Sequence, residues 1–74
     1  PGAWFYHKSN RLKIIKAEKI NMSGKSGEVL TEDLIIACGF GSLKIIKIQK
    51  EGKKILDTND FLSGYKIKKG EFLT

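Results

Sequence analysis

The chain has 74 residues, with 14 lysines and arginines against 8 acidic residues, for a formal net charge of +6 at pH 7. This length supports a single domain, 1–74, because a second core would need roughly 50 more residues. The longest apolar run falls far short of the roughly 20 residues of a membrane span, and the single cysteine, Cys38, excludes an internal disulfide and a multi-cysteine metal site.

Short segments rich in isoleucine, phenylalanine and tyrosine, separated by glycines, predict a mainly β fold. The first predicted strand covers 4–8 and is followed by a tight turn at Ser9 and Asn10, where asparagine tolerates a positive φ. A longer strand is predicted over 11–20. The remaining extended segments are predicted at 28–31, 34–38, 43–50, 54–56 and 66–73.

One short helix is predicted over 59–63, where the alternating pattern stops. Phe61, Leu62 and Tyr65 lie at helical spacing after a group of capping residues, and Gly64 is predicted to end the helix. About six short strands with one helix predict a small all-β barrel.

A five-residue pattern occurs twice, at 12–16 and at 43–47. A β-bulge between Ile14 and Ile15 would direct both isoleucines into the core. The alternative, a helix over 11–20, is disfavoured by the density of β-branched residues. On the bulge interpretation the lysines of both copies face water: Lys13, Lys16, Lys44 and Lys47.

No motif for catalysis or metal binding is present in convincing form. The segment 24–26 resembles the end of a P-loop, but Lys19 stands where that motif requires glycine. His7 is the only histidine and is predicted to lie at the surface or half-buried, whereas Cys38 is predicted to be a small core residue. The chain alone is therefore predicted not to be an enzyme.

The basic surplus favours a polyanionic partner, and a merely solvated lysine surface is the alternative. Lysines contact phosphates as point charges and read no base sequence, so salt-sensitive binding is expected. The candidate binding residues are Lys66, Lys68 and Lys69 after the helix, together with Arg11, Lys13, Lys16, Lys44 and Lys47.

The aromatic residues are few, and Trp4, Phe5 and Tyr6 are consecutive. Alternate members of a strand point to the same face, so some of these rings are expected inside the barrel. Because the core could absorb most of the rings, the sequence does not indicate base stacking.

Six motifs run in order along nearly the whole chain. They are PGAWF at 1–5, LKIIKAE at 12–18, GKSGEVL at 24–30, LIIACGFG at 34–41, LKIIKIQKEGK at 43–53, and DFLSG at 60–64 with GEFL at 70–73. In this order they resemble the C-terminal domain of the methionyl-tRNA formyltransferase family. The resemblance implies an OB-fold-like barrel from a cytoplasmic, bacterial-type protein.

The resemblance also implies that this domain belongs to a longer enzyme in which a different domain carries out catalysis. The complete enzyme would transfer a formyl group from 10-formyltetrahydrofolate to the initiator Met-tRNA, using an Asn, a His and an Asp of a separate N-terminal catalytic domain. No residue here matches that set, so His7 is not the catalytic histidine and this domain needs no cofactor of its own. The family has basic residues just after the motif at 60–64, which makes Lys66, Lys68 and Lys69 the best candidates for holding tRNA.

The expected partners are the initiator Met-tRNA and the catalytic domain, with no membrane and a monomeric state. One alternative is the structural C-terminal domain of a related sugar-nucleotide or folate formyltransferase, which would not bind RNA. Another is a self-standing single-strand binder, which would need exposed aromatic rings on one face of the sheet.

Overall fold

Five antiparallel strands form one curled sheet in the computed structural model, which describes residues 3–73. The elements are β1 (Ala3–His7), β2 (Asn10–Ile20), β3 (Ile35–Ala37), β4 (Ser42–Lys50), β5 (Ile55–Asp57) and the helix α1 (Thr58–Gly64). The sheet order is β1-β2-β4-β3, and β5 also pairs with β4. The prediction of a small, mainly β barrel with one short helix is confirmed, in the form of a curled half-barrel sheet. The regular strands number five and not about six, because the predicted extended segment 66–73 forms only one bridge, through Phe72. The Pro1-Gly2 part of the first motif lies outside the described residues.

The pairing of β2 with β4 contains the predicted irregularity. Ile14 lies opposite Ile48, but Lys16 lies opposite Lys47, so Ile15 is an inserted residue. Only part of the bulge prediction is confirmed, because Ile14 packs against the core whereas Ile15 is half-buried outside it. An inserted residue interrupts the alternation of inward and outward side chains along its strand. For this reason only Ile14, and not Ile15, packs against the core.

The core lies between the concave side of the sheet and the helix. Leu12 of β2 and Ile48 of β4 are completely buried. Phe61 of the helix belongs to the same core cluster, and the buried Thr58 hydroxyl donates a hydrogen bond of 2.7 Å to the carbonyl oxygen of Ile45. These contacts explain why so short a helix forms: tertiary packing, and not intrinsic propensity, stabilises it.

The ends of several elements differ from the predictions. Gly64 is the last residue of the helix and not the left-handed residue that was expected after it, and Tyr65, which follows, has an extended conformation. Lys8 and Ser9 carry the positive φ angles of the first turn, one residue earlier than predicted. The third strand begins at Ile35 because Leu34 has a φ of +64°, outside the β region.

The predicted strand at 28–31 is wrong as a regular strand. It forms only isolated bridges, from Glu28 to Phe72 and from Val29 to Ile36. Positive φ angles at Gly27 and Leu34 turn the chain on either side of the segment. These bridges nevertheless extend the sheet beyond β3 to the C-terminal segment at 70–73.

A side-chain network joins the other edge of the sheet to the C-terminal segment. The His7 ring lies 2.7 Å from Glu71 through Nε2 and 2.9 Å from the Tyr65 hydroxyl through Nδ1. Asn10 Nδ2 donates to the same hydroxyl over 2.9 Å. The backbone N–H of Lys68, and next the His7 ring, lower the pKa of the Glu71 carboxyl from its ordinary value.

The burial of two residues, His7 and Cys38, is the reverse of what the sequence predicted. His7 is 4% exposed because it occupies an inward position of β1, so the expectation of a surface or half-buried histidine is wrong. Cys38 is exposed because it follows β3 at the start of the Gly39-Phe40-Gly41 turn, so it is not a core residue. Within residues 3–73 no helix is long and apolar enough to cross a membrane.

Candidate nucleic-acid interface

Lys66, Lys68 and Lys69, here called the C-terminal lysine cluster, lie together on the segment after α1. All three are exposed, and the buried Ile67 between them anchors the segment to the core. The three lysines line one shallow depression, and the Lys69 backbone N–H donates to the carboxylate of Glu32 over 3.3 Å. Among residues 3–73, none of the three ammonium groups makes an ion pair. They are therefore available to phosphate groups.

The two lysines beside the bulge face each other across the sheet. Lys16 of β2 lies directly opposite Lys47 of β4, and both are exposed. Like charges in this position repel each other, which is destabilising without a counter-ion. The Asp57 carboxylate lies 3.2 Å from Lys47 Nζ and supplies one. Lys16 therefore remains the freer cation of the pair.

Lys44 has a more acidic environment than the sequence pattern suggested. It is half-buried and lies opposite Glu18 of β2. It also lines a depression together with Asp33 and Asp57. Because these carboxylates repel a phosphate group, Lys44 is the weakest of the eight candidates for phosphate binding.

Arg11 and Lys13 lie on the outer face of β2, next to an aromatic ring of β1. The Arg11 guanidinium carbon is 3.5 Å from the centroid of the Trp4 ring, and Lys13 Nζ is 5.3 Å from it. Both distances are within the range of cation–π attraction. Arg11 also lies 3.6 Å from the exposed carboxylate of Glu51.

Several aromatic side chains are exposed, which the sequence pattern did not predict. Trp4 and Tyr6 are 40% and 49% exposed, and Phe40 and Phe72 are exposed as well. The expectation that the core absorbs most of the rings is therefore wrong. The signal was present in the alternation of β1, because Phe5 takes the inward position and its two aromatic neighbours must face outward.

The contacts divide the eight candidates into four groups. They are the C-terminal lysine cluster, the Lys16–Lys47 pair, the Arg11–Lys13 pair beside Trp4, and Lys44 alone. Within the part of the chain that the structure describes, no three histidine, cysteine or carboxylate side chains come together to hold a metal ion. The arrangement offers cations and exposed rings for binding.

Comparison with known proteins places these features in a family. Residues 1–66 match the family model described as formyl transferase, C-terminal domain. The chain is 51% identical over 75 residues to a protein named methionyl-tRNA formyltransferase from Pelagibacter ubique, covering 100% of this chain and 24% of that protein. Proteins of the same name from Bradyrhizobium diazoefficiens and Citrifermentans bemidjiense are 42% and 41% identical, covering 100% and 99% of this chain and 25% and 24% of theirs. The chain therefore spans about a quarter of the length of these relatives.

Proposed function

Because the chain belongs to the family of formyl transferase C-terminal domains, we propose that it is the tRNA-binding C-terminal part of a methionyl-tRNA formyltransferase. The observation that carries the proposal is similarity over the whole chain to proteins named for a tRNA substrate. The net charge of +6 supports it, since a basic domain attracts the phosphates of RNA.

The C-terminal lysine cluster is the best candidate for the phosphate contacts. Its three ammonium groups are exposed, grouped on one segment and held in place by the buried Ile67. Lysine contacts do not read bases, so this domain would position the tRNA and leave discrimination to other parts of the enzyme.

The proposal assigns catalysis to another part of the protein. Formyl transfer from 10-formyltetrahydrofolate to the initiator Met-tRNA would take place in the catalytic domain, which this barrel would accompany. An OB-fold-like scaffold, a monomeric state and a cytoplasmic location belong to the same proposal and stay predictions.

A second candidate is a structural domain of a related sugar-nucleotide or folate formyltransferase. The observation that favours it is exposed apolar surface, above all the fully exposed Phe40 on its Gly39-Phe40-Gly41 turn and the half-exposed Ile55 on β5. Such side chains suit packing against another protein domain.

The test compares two variants with the same net charge. In one, the C-terminal lysine cluster is reversed to glutamate (Lys66→Glu, Lys68→Glu, Lys69→Glu). In the control, three exposed lysines from elsewhere are reversed (Lys19→Glu, Lys25→Glu, Lys53→Glu). Each variant carries three reversals, so any difference between them reports position and not total charge.

Binding of initiator tRNA, a non-initiator tRNA and a single-stranded oligonucleotide would be measured at two salt concentrations. We expect both tRNAs to bind in a salt-sensitive manner. Loss of three phosphate contacts should reduce the slope of log affinity against log salt by about 2 to 3, at up to about 0.9 per phosphate. Equal binding by the two variants would refute the assigned site. No binding of tRNA by the unmodified chain at low salt would favour the structural domain.

A further inference from the structure

The outer face of β1 and β2 brings two exposed aromatic rings together with two cations. Trp4 pairs with Lys13 across the strands, and Tyr6 pairs with Arg11. We call these four residues the aromatic face. We infer that the aromatic face binds unpaired nucleotides, with bases stacking on its rings and phosphates meeting its cations. This inference rests on the proposed function and adds the class of RNA that the domain would hold.

The two rings are not needed by the core. Phe5, between them in sequence, is 7% exposed and supplies the inward aromatic of β1. Trp4 and Tyr6 point to the opposite side and keep 40% and 49% of their surface accessible. Leaving large rings in water forgoes the free energy that burial would provide, so an outward pair marks a binding surface.

The cations of this face are incompletely satisfied within the chain. The Nε atom of Arg11 is buried and has no hydrogen-bond partner among the described residues. The ion pair from Arg11 Nη1 to Glu51 is long, at 3.6 Å, and the Glu51 side chain is 64% exposed. Arg11 is therefore only loosely paired through Nη1, and Lys13 makes no ion pair among the described residues, so both cations can contact an acceptor from outside.

A nucleotide supplies what this face lacks. Every base has a flat π surface that stacks on an aromatic side chain, and its phosphate accepts hydrogen bonds from a guanidinium or an ammonium group. Since Arg11 lies over the Trp4 indole and Lys13 Nζ is 5.3 Å from its centroid, a base would stack on the exposed part of the indole or on the Tyr6 ring. The two rings are two residues apart on one strand, about 7 Å, which suits consecutive bases of an extended strand.

Paired RNA offers no such bases, because they are stacked inside the helix. The C-terminal lysine cluster would therefore meet phosphates of any RNA, whereas the aromatic face would select unpaired ends or loops. An acidic peptide would satisfy the cations but would leave the rings without a stacking partner.

The sole tryptophan makes this test specific, because the fluorescence of Trp4 reports on the aromatic face alone. The intact chain would be titrated with a single-stranded octanucleotide, with a blunt RNA duplex and with oligoglutamate. Affinities of variants would be measured with a labelled octanucleotide. The variants are Trp4→Ala, Trp4→Phe and the control Phe40→Ala, which removes a fully exposed ring from a different place.

We expect the octanucleotide to quench Trp4 fluorescence more strongly than the duplex or oligoglutamate. Trp4→Ala should weaken octanucleotide binding about 5- to 100-fold with the salt slope unchanged, since stacking and not a phosphate contact is lost. Trp4→Phe should retain most of the affinity, and Phe40→Ala should retain all of it. Thermal unfolding of each variant would establish that it folds.

Three outcomes would overturn the inference. If tRNA binds through the lysine cluster but Trp4→Ala binds the octanucleotide normally, the aromatic face is not a site while the proposed function stands. If Phe40→Ala is as damaging as Trp4→Ala, or oligoglutamate quenches equally, the surface is not specific for bases. If the chain binds no RNA at all, this inference and the proposed function both fail.

Discussion

The hydrogen bonds among His7, Asn10, Tyr65 and Glu71 are here called the His7 network. Removal of the Tyr65 hydroxyl tests whether this network stabilises the packing of the C-terminal segment against the sheet. The Tyr65 hydroxyl lies 2.9 Å from His7 Nδ1, accepts from Asn10 Nδ2 at 2.9 Å and donates to the His7 carbonyl at 3.2 Å. The Tyr65 ring also stacks on Phe61, with centroids 4.9 Å apart. Tyr65→Phe keeps the ring contact and deletes only the hydroxyl.

The expected cost follows from what the deletion leaves behind. His7 is buried, so its Nδ1 would have no water to replace the lost partner. An unsatisfied buried group costs about 1 to 3 kcal/mol, and the half-buried Asn10 amide adds a smaller loss. We expect Tyr65→Phe to lower the free energy of unfolding by about 2 kcal/mol. For a domain of this size that lowers Tm by roughly 8 to 16 °C.

The other tyrosine is a matched control. Tyr6 is 49% exposed, and its hydroxyl makes no hydrogen bond to another described residue, so Tyr6→Phe should change stability by less than about 0.5 kcal/mol. Urea unfolding and thermal unfolding, followed by far-ultraviolet circular dichroism, measure both variants. If Tyr65→Phe were within 0.5 kcal/mol of Tyr6→Phe, the network would not be a significant source of stability.

Two further predictions concern the same packing of the C-terminal segment. A Cβ atom at Gly27 would lie 2.5 Å from the Leu73 carbonyl oxygen at a φ of +87°, so Gly27→Ala should cost about 3 kcal/mol or more. Gly52→Ala, at a similar φ of +82° but in open space, should cost only about 1 kcal/mol; equal losses in urea unfolding would contradict the clash. A backbone N–H and the His7 ring lower the pKa of Glu71 from 4.5, so its stabilisation is present above pH 4.5 and is lost as the pH falls below it. Glu71→Gln should therefore be less stable than the unmodified chain at pH 7, and the gap should narrow below pH 4.5. A gap that stayed constant with pH in urea titrations would exclude this linkage.

Local patterns along the chain were sufficient to predict most of the secondary structure. Neighbouring residues and their periodicity predict the mainly β content of the chain and the helix around Phe61. They also predict the position of the bulge beside Ile14. The ordered motifs were sufficient to predict the family, which the family model over residues 1–66 and the relatives similar over the whole chain confirm. Strand ends and turn positions were less predictable, as the left-handed Leu34 and the turn at Lys8 show.

The environment of single side chains depended on contacts between distant residues. His7 is buried because Tyr65 and Glu71, some sixty positions later, cover it, and no local pattern contains that information. The sequence also placed eight basic residues in one candidate set, whereas strand pairing gives them different surroundings: it sets Lys16 opposite Lys47, and Lys47 beside Asp57.

The sequence by itself therefore determined the class of fold, the family and the positive charge of this protein. Only the tertiary structure decided which rings and cations face outward together, because that depends on strand register and on the closure of the sheet by the C-terminal segment. Trp4 illustrates the difference: its strand was predictable, but its place beside Arg11 exists only once β1 and β2 are paired.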